Sequence, residues 1–240
     1  MTGCRDTPPR AVVLAIIWLL SAGPAGIGET HRFPTPDRPV APIISPAYSS
    51  EEARDRVGEA ARVMDRLGVR PGMRVADIGA GDGYYTVRLA GRLAGQGTVY
   101  AEDVKAEYLQ RLERRLRREG LGHVTIIHGR AGDPRLPKGI IDVAILAHMY
   151  HEIENPYEFL YRLWPALAAG ARVAIVDLDK PTQDHGTPPA LLRCELAAVG
   201  YRQVDFIGLA PADGYLAVFT APAQLPPIEA IRPCVVNERG

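Results

Sequence analysis

A glycine-rich turn between an apolar strand and a helix constrains this chain more than any other feature. Residues 75–85 read VADIGAGDGYY, with a carboxylate near the end of the strand and glycines at alternate positions of the turn. Glycine adopts positive φ without a steric penalty and lets a ligand approach the backbone closely. The N-terminus of the following helix directs unpaired N–H groups into the space above the strand. The stretch therefore predicts a ligand site at one edge of a parallel α/β sheet.

The spacing of acids and glycines separates two kinds of nucleotide site. A dinucleotide site requires G-x-G-x-x-G/A, but Tyr84 stands where the last Gly or Ala is needed. The chain instead has D-x-G-x-G-x-G from Asp77 to Gly83, and a second acid, Asp103, ends the next strand-like run. This pattern resembles motif I and its partner acid in the class I S-adenosylmethionine-dependent methyltransferases. The resemblance spans about residues 50–220 and implies S-adenosyl-L-methionine as the cofactor.

Strand-like and helix-like segments alternate along most of the chain. The predicted strands are 74–78, 97–103, 123–128, 141–147, 172–177, 203–208 and 215–219, and the predicted helices are 49–67, 84–93, 106–119, 156–167 and 188–199. Thr187 is the predicted N-cap of the last helix. The last two strands are joined by the short turn 212–214 and can only be antiparallel. The predicted fold is α/β and Rossmann-like, a seven-stranded mostly parallel sheet with a terminal antiparallel hairpin and helices on both faces.

Asp77 and the turn after it are the predicted contacts for the methionine part of the cofactor. A carboxylate at Asp77 attracts the cofactor's ammonium group, directly or through water, and it can also cap the next helix. The resemblance to motif I implies that Gly79, Ala80 and Gly81 provide the tight backbone that the methionine part passes, with Gly83 completing the turn.

Asp103 is the predicted contact for the ribose. A carboxylate at the end of the second strand can accept hydrogen bonds from both ribose hydroxyls. The resemblance assigns this role to Asp103, with Val104 beside it. Glu102 points to the opposite face if the strand alternation continues, so only one of the two acids can serve.

The segment after the third strand departs from the family's pattern for the adenine. Many members have Gly-Asp-Ala-x-x-Leu-Pro there, whereas residues 129–137 of this chain read GRAGDPRLP. Arg130 stands where the family has Asp. Either Asp133 replaces that acid, or the backbone around Arg130 and Ala131 makes the contact.

Residues 147–152, AHMYHE, follow the fourth strand at the position that lies beside the methyl group in the family. His148, Tyr150 and His151 are the catalytic candidates, and His148 is also a candidate cofactor contact. A histidine whose pKa is near neutrality can take a proton from a hydroxyl or amine acceptor. For either histidine the alternative is a turn residue that caps the next helix. His185 is a third histidine candidate, beside His148 and His151, because it lies in a loop that often covers the acceptor.

Charge and cysteine content exclude some classes of function. The chain has 28 basic and 28 acidic residues, so its formal net charge of zero gives no indication of nucleic-acid binding. No cysteine or histidine cluster has metal-ligand spacing, which predicts no metal site. Of the three cysteines, Cys194 is interpreted as a small buried hydrophobic residue, and pairing with Cys234 in an oxidising compartment is the alternative.

The first residues differ in character from the rest. Arg5 and Arg10 precede the apolar run 11–20 and then a series of small residues, which is typical of a secretory signal peptide. We therefore predict a signal peptide or membrane anchor over 1–28, a Pro-rich extended linker over 29–48, a methyltransferase domain over 49–222 and an irregular tail over 223–240. The protein is then exported, to the periplasm or outside the cell, or anchored in a membrane through 11–28. A misassigned start would make it cytoplasmic.

The resemblance implies an enzyme that moves a methyl group from S-adenosyl-L-methionine to an oxygen, nitrogen or other nucleophile of a small-molecule acceptor. A protein-isoaspartate-type carboxyl methyltransferase is one alternative, because the turn at 83–86 is similar. A non-catalytic cofactor-binding or partner-binding domain that kept the fold is another. A short-chain dehydrogenase is disfavoured by Tyr84 and by the lack of any Tyr-x-x-x-Lys pair.

Overall fold

A computed structural model describes residues 1–3, 32–44, 50–209 and 214–235. The chain divides into two compact units, Met1–Thr30 and His31–Gly240. Of the first unit only residues 1–3 are described, and everything below concerns the second. The predicted signal peptide or anchor falls almost wholly outside the described residues, as do residues 212 and 213 of the predicted hairpin turn.

A seven-stranded sheet in the order β3-β2-β1-β4-β5-β7-β6 organises the second unit. Its strands are β1 Arg74–Ile78, β2 Thr98–Asp103, β3 Val124–His128, β4 Ile141–Ala147, β5 Leu167–Leu178, β6 Arg202–Gly208 and β7 Gly214–Thr220. Strands β1 to β5 pair in parallel, whereas β7 pairs antiparallel with both β5 and β6. The strand order reverses between β1 and β4, and ligands of open α/β sheets bind at such a point. The predicted sheet and its terminal hairpin are confirmed.

Six α-helices cover the two faces of the described sheet. They are α1 Glu51–Arg56, α2 Glu59–Arg66, α3 Tyr84–Leu93, α4 Ala106–Glu119, α5 Pro156–Leu163 and α6 Pro189–Ala198. Alternate residues of the central strands belong to different cores: Val75 packs with side chains of α2 and α3, and Ala76 packs with those of α5 and α6. Because both faces are covered, β4 is almost entirely buried.

Two predicted helices differ from the structure for identifiable reasons. The predicted helix 49–67 is interrupted at Gly58, whose φ of 64° lies outside the helical region and separates α1 from α2. The predicted helix 156–167 ends as an α-helix at Leu163, because Pro165 cannot donate the next backbone hydrogen bond. Residues Trp164–Ala166 form a 3-10 turn, and β5 begins directly after it.

Thr187 is not the N-cap that the sequence predicts. Pro188 occupies the position before α6, and no side chain caps that helix. The Thr187 hydroxyl instead donates to an Asp177 carboxylate oxygen at 2.7 Å, which ties Thr187 to the carboxyl end of β5.

The described part of the Pro-rich segment, residues 32–44, contains no helix. It is packed against the domain, whereas the sequence predicted an extended linker. Arg38 forms a buried ion pair with Glu195 of α6 at 2.8 Å, and the side chains of both residues are 1% exposed. Ala41 is buried, and its N–H donates to the His151 carbonyl at 3.1 Å. This segment therefore contributes to the wall of the site described below.

The tail after β7 is irregular up to residue 235, with only a 3-10 turn at Ile228–Ala230, yet part of it is buried. Cys234 forms a disulfide with Cys194 of α6, with Cα atoms 6.0 Å apart. The interpretation of Cys194 as an unpaired hydrophobic residue was wrong, because the returning tail brings Cys234 against α6. Among the described residues, no helix has the length and apolar character needed to cross a membrane.

Candidate functional site

Two adjoining cavities lie at the carboxyl ends of β1, β2, β4 and β5. Cavity A has a volume of about 100 Å³, and its walls include Asp77, Gly79, Ala80, His148, His151, Glu152 and His185. Cavity B has a volume of about 80 Å³, and its walls include Gly79, Glu102, Asp103, Val104, Arg130, Ala131, Met149 and Glu152. Gly79 and Glu152 belong to both, so the two cavities meet at the glycine turn.

The glycine turn is shaped by steric necessity. Gly79 has a φ of 69°, and a Cβ atom there would lie 2.7 Å from Met149 Cγ. Gly81 also has positive φ, and its N–H donates to Asp103 Oδ2 at 2.9 Å. Gly83 starts α3, and a Cβ atom on it would collide with Leu112, so this glycine serves helix packing. Gly83 was predicted to contact the cofactor, but it lines neither cavity.

Asp77 lies at the base of cavity A and is 2% exposed. Burial raises the pKa of its carboxyl to about 6, although the hydrogen bond from Thr86 opposes the shift. Thr86 Oγ1 donates to Asp77 Oδ2 at 2.5 Å. The two hydrogen bonds from Thr86 and the charge of Arg54 do not offset the effect of burial, so a further cation bound in cavity A would stabilise the charged form of Asp77.

Glu102 and Asp103 both reach the cavity side of the sheet edge, which corrects the prediction that Glu102 would face away. Asp103 Oδ2 and Oδ1 accept from the N–H groups of Gly81 and Lys105, at 2.9 and 2.8 Å. Glu102 is 2% exposed, and its Oε1 has no hydrogen-bond partner. Burial and the neighbouring Asp103 raise the pKa of Glu102 well above its usual value. Asp103 therefore holds the glycine turn through the Gly81 N–H, whereas Glu102 Oε1 accepts no hydrogen bond.

The loop after β3 supplies Arg130 and Ala131 to cavity B but not Asp133. Asp133 closes a small turn with Arg130, since each backbone N–H donates to the other's carbonyl, at 2.8 and 2.9 Å. The Asp133 carboxylate accepts from the Arg135 N–H at 2.8 Å. Of the two predicted adenine contacts, the structure brings only the Arg130–Ala131 segment to the cavity.

His148 and Glu59 are paired at the rim of cavity A. His148 Nε2 lies 3.2 Å from Glu59 Oε2, and Arg54 and the Tyr85 hydroxyl donate to the other oxygen at 2.7 and 3.0 Å. Burial disfavours ionisation of Glu59, but the hydrogen bond from His148 and the charge of Arg54 lower its pKa to about 2. His148 has a φ of 55°, a left-handed conformation that is costly outside glycine and is concentrated at functional sites.

His151 and Asp177 form a buried pair in the wall of cavity A. His151 Nδ1 lies 3.0 and 3.1 Å from the two carboxylate oxygens of Asp177. Asp177 is fully buried and also accepts from the Thr187 hydroxyl and the Leu178 N–H, at 2.7 and 2.9 Å. These donors fix the carboxylate and, through it, the imidazole, so His151 presents Nε2 away from Asp177.

Tyr150, the third catalytic candidate, is not at the site. Its side chain is fully buried in the core, and the Arg38 guanidinium lies over its ring at 5.7 Å from the centroid. The short 3-10 turn Tyr150–Glu152 turns consecutive side chains in different directions, so His151 and Glu152 face the cavities while Tyr150 faces inward. Tyr150 therefore has a packing role.

Sequence reasoning missed several residues that shape the cavities. Glu152 was not among the candidates, yet it lines both cavities, and burial raises its pKa to about 7. Asp177 could have been found, because it is an acid near the carboxyl end of a buried strand, as Asp77 and Asp103 are. Glu59 gave no such indication, since only the fold of α2 over the turn brings it to His148.

Helix α1 covers cavity A through an aromatic and ionic contact. The Tyr84 ring lies between two guanidinium groups, those of Arg54 and Arg88, at 3.7 and 3.8 Å from its centroid. Arg88 in turn pairs with Glu51 and Asp55 of α1. Tyr84, the residue that separates this turn from the dinucleotide pattern, therefore fixes the helix that covers the cavity.

Comparison with known proteins agrees with this architecture. Residues 75–170 match the model of a family described as a methyltransferase domain. The demethylmenaquinone methyltransferase of Anoxybacillus flavithermus is 24% identical over 119 residues, half of each chain. The chain thus spans about half the length of the curated relatives it matches.

Two solved structures share the fold. A SAM-dependent methyltransferase from Aquifex aeolicus has a TM-score of 0.65 and 22% identity, and the match covers 70% of this chain and 92% of that one. A possible exported protein from Bordetella parapertussis has a TM-score of 0.58 and 17% identity, with coverage of 71% and 68%. Together with the matched domain, these structures confirm the predicted class I methyltransferase fold.

Proposed function

We propose that this protein methylates a small molecule that carries an acidic hydroxyl. Residues 75–170 match a methyltransferase-domain model, and the fold is that of the class I S-adenosylmethionine-dependent methyltransferases. A phenol or quinol is the acceptor class we favour, with transfer to the oxygen or to a ring carbon that the ionised oxygen activates. The names of the relatives, which act in menaquinone and ubiquinone biosynthesis, support a quinol-like acceptor. The observation that carries the proposal is the His151–Asp177 pair beside the carboxylates of the glycine turn.

The residues at the two cavities fit an S-adenosylmethionine molecule. Glu102 Oε1 is a buried acceptor without a partner, and a ribose hydroxyl would satisfy it. Asp103 lies beside it and holds the turn, while Val104 and the Arg130–Ala131 segment line the same cavity for the base. Asp77, a buried carboxylate that the charge of Arg54 compensates only in part, suits the ammonium group of the methionine part.

Methyl transfer requires little covalent help from the protein. When bound, the cofactor would supply a methyl group on a sulfonium, and the C–S bonding pair would stay on sulfur. Transfer to oxygen would form a C–O bond with loss of the hydroxyl proton; transfer to a ring carbon would form a C–C bond, after which the ring proton at that carbon is lost and the oxygen regains a proton. The protein's part is to align the acceptor in a cavity from which water is excluded, which can supply most of the acceleration. Helix α1 and the segment 41–44 provide that cover.

His151 is the proposed proton acceptor. Asp177 accepts the Nδ1 proton, so the Nε2 lone pair is available to the hydroxyl, and the carboxylate stabilises the imidazolium that forms. His148, paired with Glu59, stands at the same cavity and is proposed to orient the acceptor. A mere turn-capping role would not require two separate histidine–carboxylate pairs facing one cavity.

We also propose that the protein works outside the cytoplasm. The Cys194–Cys234 disulfide is of the kind that persists in oxidising compartments, and the N-terminal residues have the composition of an export segment. The resemblance to a possible exported protein of the same fold supports this location. Fractionation of cells, with N-terminal sequencing of the product, tests it: an intact N-terminus in the cytoplasmic fraction would contradict it.

The decisive experiment separates cofactor binding from transfer. Calorimetric titration of S-adenosylhomocysteine into the purified full chain is expected to give micromolar binding. Incubation with S-adenosylmethionine and a panel of phenols and quinols should then give a methylated product that His151→Gln forms more slowly. Binding without any product would point to a different acceptor class. No binding by well-folded protein would favour a domain that kept the fold without the catalytic function.

A further inference from the structure

We propose that His151, Glu152 and His185 form a binding site for one divalent cation, with Zn²⁺ as the ion best suited to them. The ligand atoms of these three side chains all lie within 4.8 Å of one another. Three ligands around a zinc ion stand roughly 3–3.5 Å apart, because each metal–ligand distance is about 2.0–2.2 Å. Rotation of the side chains by a small amount closes the remaining gap.

The cluster is discontinuous in the sequence, which is why residue spacing predicted no metal site. His151 and Glu152 belong to the turn after β4, whereas His185 comes from the loop after β5. Within the described residues, these three are the one group of three or more histidine, cysteine or acidic side chains that meet so closely. Two imidazoles and one carboxylate are a ligand set that zinc accepts in catalytic sites, with a further position left open.

The surroundings of His151 are those of a metal ligand. The Nδ1 atom is committed to Asp177, which fixes the tautomer with its lone pair on Nε2. Metal-binding histidines commonly donate their second nitrogen to a carboxylate, which orients the ring and raises its basicity. The main chain is held as well, because the His151 carbonyl accepts from the Ala41 N–H at 3.1 Å.

The other two ligands are also held in place. His185 has a φ of 58°, a strained left-handed conformation, and its ring lies edge-on to that of His151, with centroids 5.4 Å apart. Glu152 Oε1 accepts from the Ile44 N–H at 3.2 Å, which anchors the carboxylate between the two cavities. Three side chains from two separate loops thus converge on one part of the wall of cavity A.

The position suggests what such a cation would do. All three ligands line cavity A together with Asp77, so the open coordination position faces the space assigned to the acceptor. A hydroxyl oxygen bound there would lose its proton to solvent more readily, because zinc lowers the pKa of a bound oxygen ligand. With Nε2 of His151 bound to the ion, the cation would replace the imidazole as the group that promotes this proton loss. This role rests on the proposed function, whereas the binding site itself rests on the side-chain cluster alone.

Metal titration tests the site without any assay of methyl transfer. The tag-free full chain, treated with a chelator and dialysed, is titrated with zinc chloride in a calorimeter, and separately with cobalt chloride while visible absorption is recorded. We expect one ion per chain at micromolar affinity or tighter, and for cobalt the absorption bands of a site with nitrogen ligands. His151→Ala and His185→Ala should each weaken zinc binding at least tenfold.

A matched control distinguishes this site from adventitious binding by surface histidines. His123 bonds to the Ala90 carbonyl, away from both cavities, so His123→Ala should leave zinc affinity unchanged. Asp177→Asn should weaken binding about 10- to 100-fold, as removal of an outer carboxylate does at other sites. Circular dichroism of each variant verifies that it folds.

Two results would overturn the proposal: no stoichiometric binding of either metal, or an affinity that both His151→Ala and His185→Ala leave unchanged. Titration of S-adenosylhomocysteine into the same metal-free protein keeps the two proposals separate. If that ligand binds while zinc does not, the cation site is refuted and the proposed methyl transfer stands.

Discussion

His151 Nδ1 lies 3.0 Å from one oxygen of Asp177 and 3.1 Å from the other, so the turn after β4 is tied to the end of β5 inside the wall of cavity A. The two strands are neighbours in the sheet, and β4 flanks the point between β1 and β4 where the strand order reverses. Asp177 is also the acceptor for Thr187, which extends the connection to the start of α6. The orientation of the proposed base therefore depends on three elements.

Asp177→Asn should slow methyl transfer about 100-fold, within the range attributed to a positioned general base. The amide cannot stabilise an imidazolium, and it can hold the ring in the wrong tautomer. Affinity for S-adenosylhomocysteine should be unchanged, because Asp177 lies apart from the glycine turn. Initial rates and calorimetry measure the two quantities, and Asp205→Asn on the edge strand β6 is the matched control. Equal rates in both variants would remove Asp177 from the mechanism.

Asp77→Asn should weaken cofactor binding and yet stabilise the free protein near neutral pH. Because the folded pKa of about 6 exceeds the ordinary value of 3.8, the folded state holds this proton more tightly than the unfolded state. The stability that the protonated form provides is complete below about pH 4 and is lost as pH rises through 6. The loss amounts to about 3 kcal/mol, from a shift of about two pKa units.

Urea unfolding of the wild type and of Asp77→Asn, each at pH 4.5 and pH 8, measures this effect as the change in unfolding free energy with pH, compared between the two proteins. Relative to Asp77→Asn, the wild type should lose about 2–3 kcal/mol of unfolding free energy between these pH values. Equal pH dependence in the two proteins would show that Asp77 titrates normally in the folded state.

Glu102→Gln and Asp103→Ala should both weaken binding of S-adenosylhomocysteine, by about 1–3 kcal/mol each. Glu102→Gln reduces a charge-assisted acceptor for a ribose hydroxyl, whereas Asp103→Ala also removes the carboxylate that holds Gly81. The thermal stability should therefore fall more in the Asp103 variant. Glu113→Gln on the exposed face of α4 is the control for charge. Wild-type affinity in either variant would exclude that residue from the ribose contact.

Arg38→Met should destabilise the fold by about 3–5 kcal/mol, because it leaves Glu195 buried without its partner. The guanidinium also donates to the Ile153 carbonyl at 3.1 Å, so the packing of segment 32–44 should loosen with it. Arg74→Met breaks an exposed pair with Asp142 at 3.5 Å and should cost about 0–1 kcal/mol. Chemical denaturation compares the two. Similar losses would mean that the Pro-rich segment does not depend on this ion pair.

The sequence alone determined the features that depend on local geometry and on strand periodicity. The bounds of α3, α4, β1 and β4 agree with the predictions, because alternating apolar residues and terminal glycines act within a few residues of each other. The glycine turn was recognisable for the same reason, since positive φ at Gly79 and Gly81 is a property of the chain itself. These patterns were sufficient for the fold class and for part of the walls of the two cavities.

Only the tertiary structure decided which side chains face one another across long stretches of chain. The pairs His148–Glu59, His151–Asp177 and Arg38–Glu195 join separate elements, and no periodicity relates their partners. Glu102 was expected to face away, yet both acids line cavity B, because the cavity lies beyond the end of β2, where consecutive side chains of the strand can reach it. Tyr150 faces the core, whereas the candidates on either side of it, His148 and His151, line cavity A. Tyr150 and His151 are consecutive residues of one 3-10 turn, so their side chains point in different directions. Local sequence encodes conformation, whereas the convergence of charged groups on a cavity is set by packing of the whole sheet.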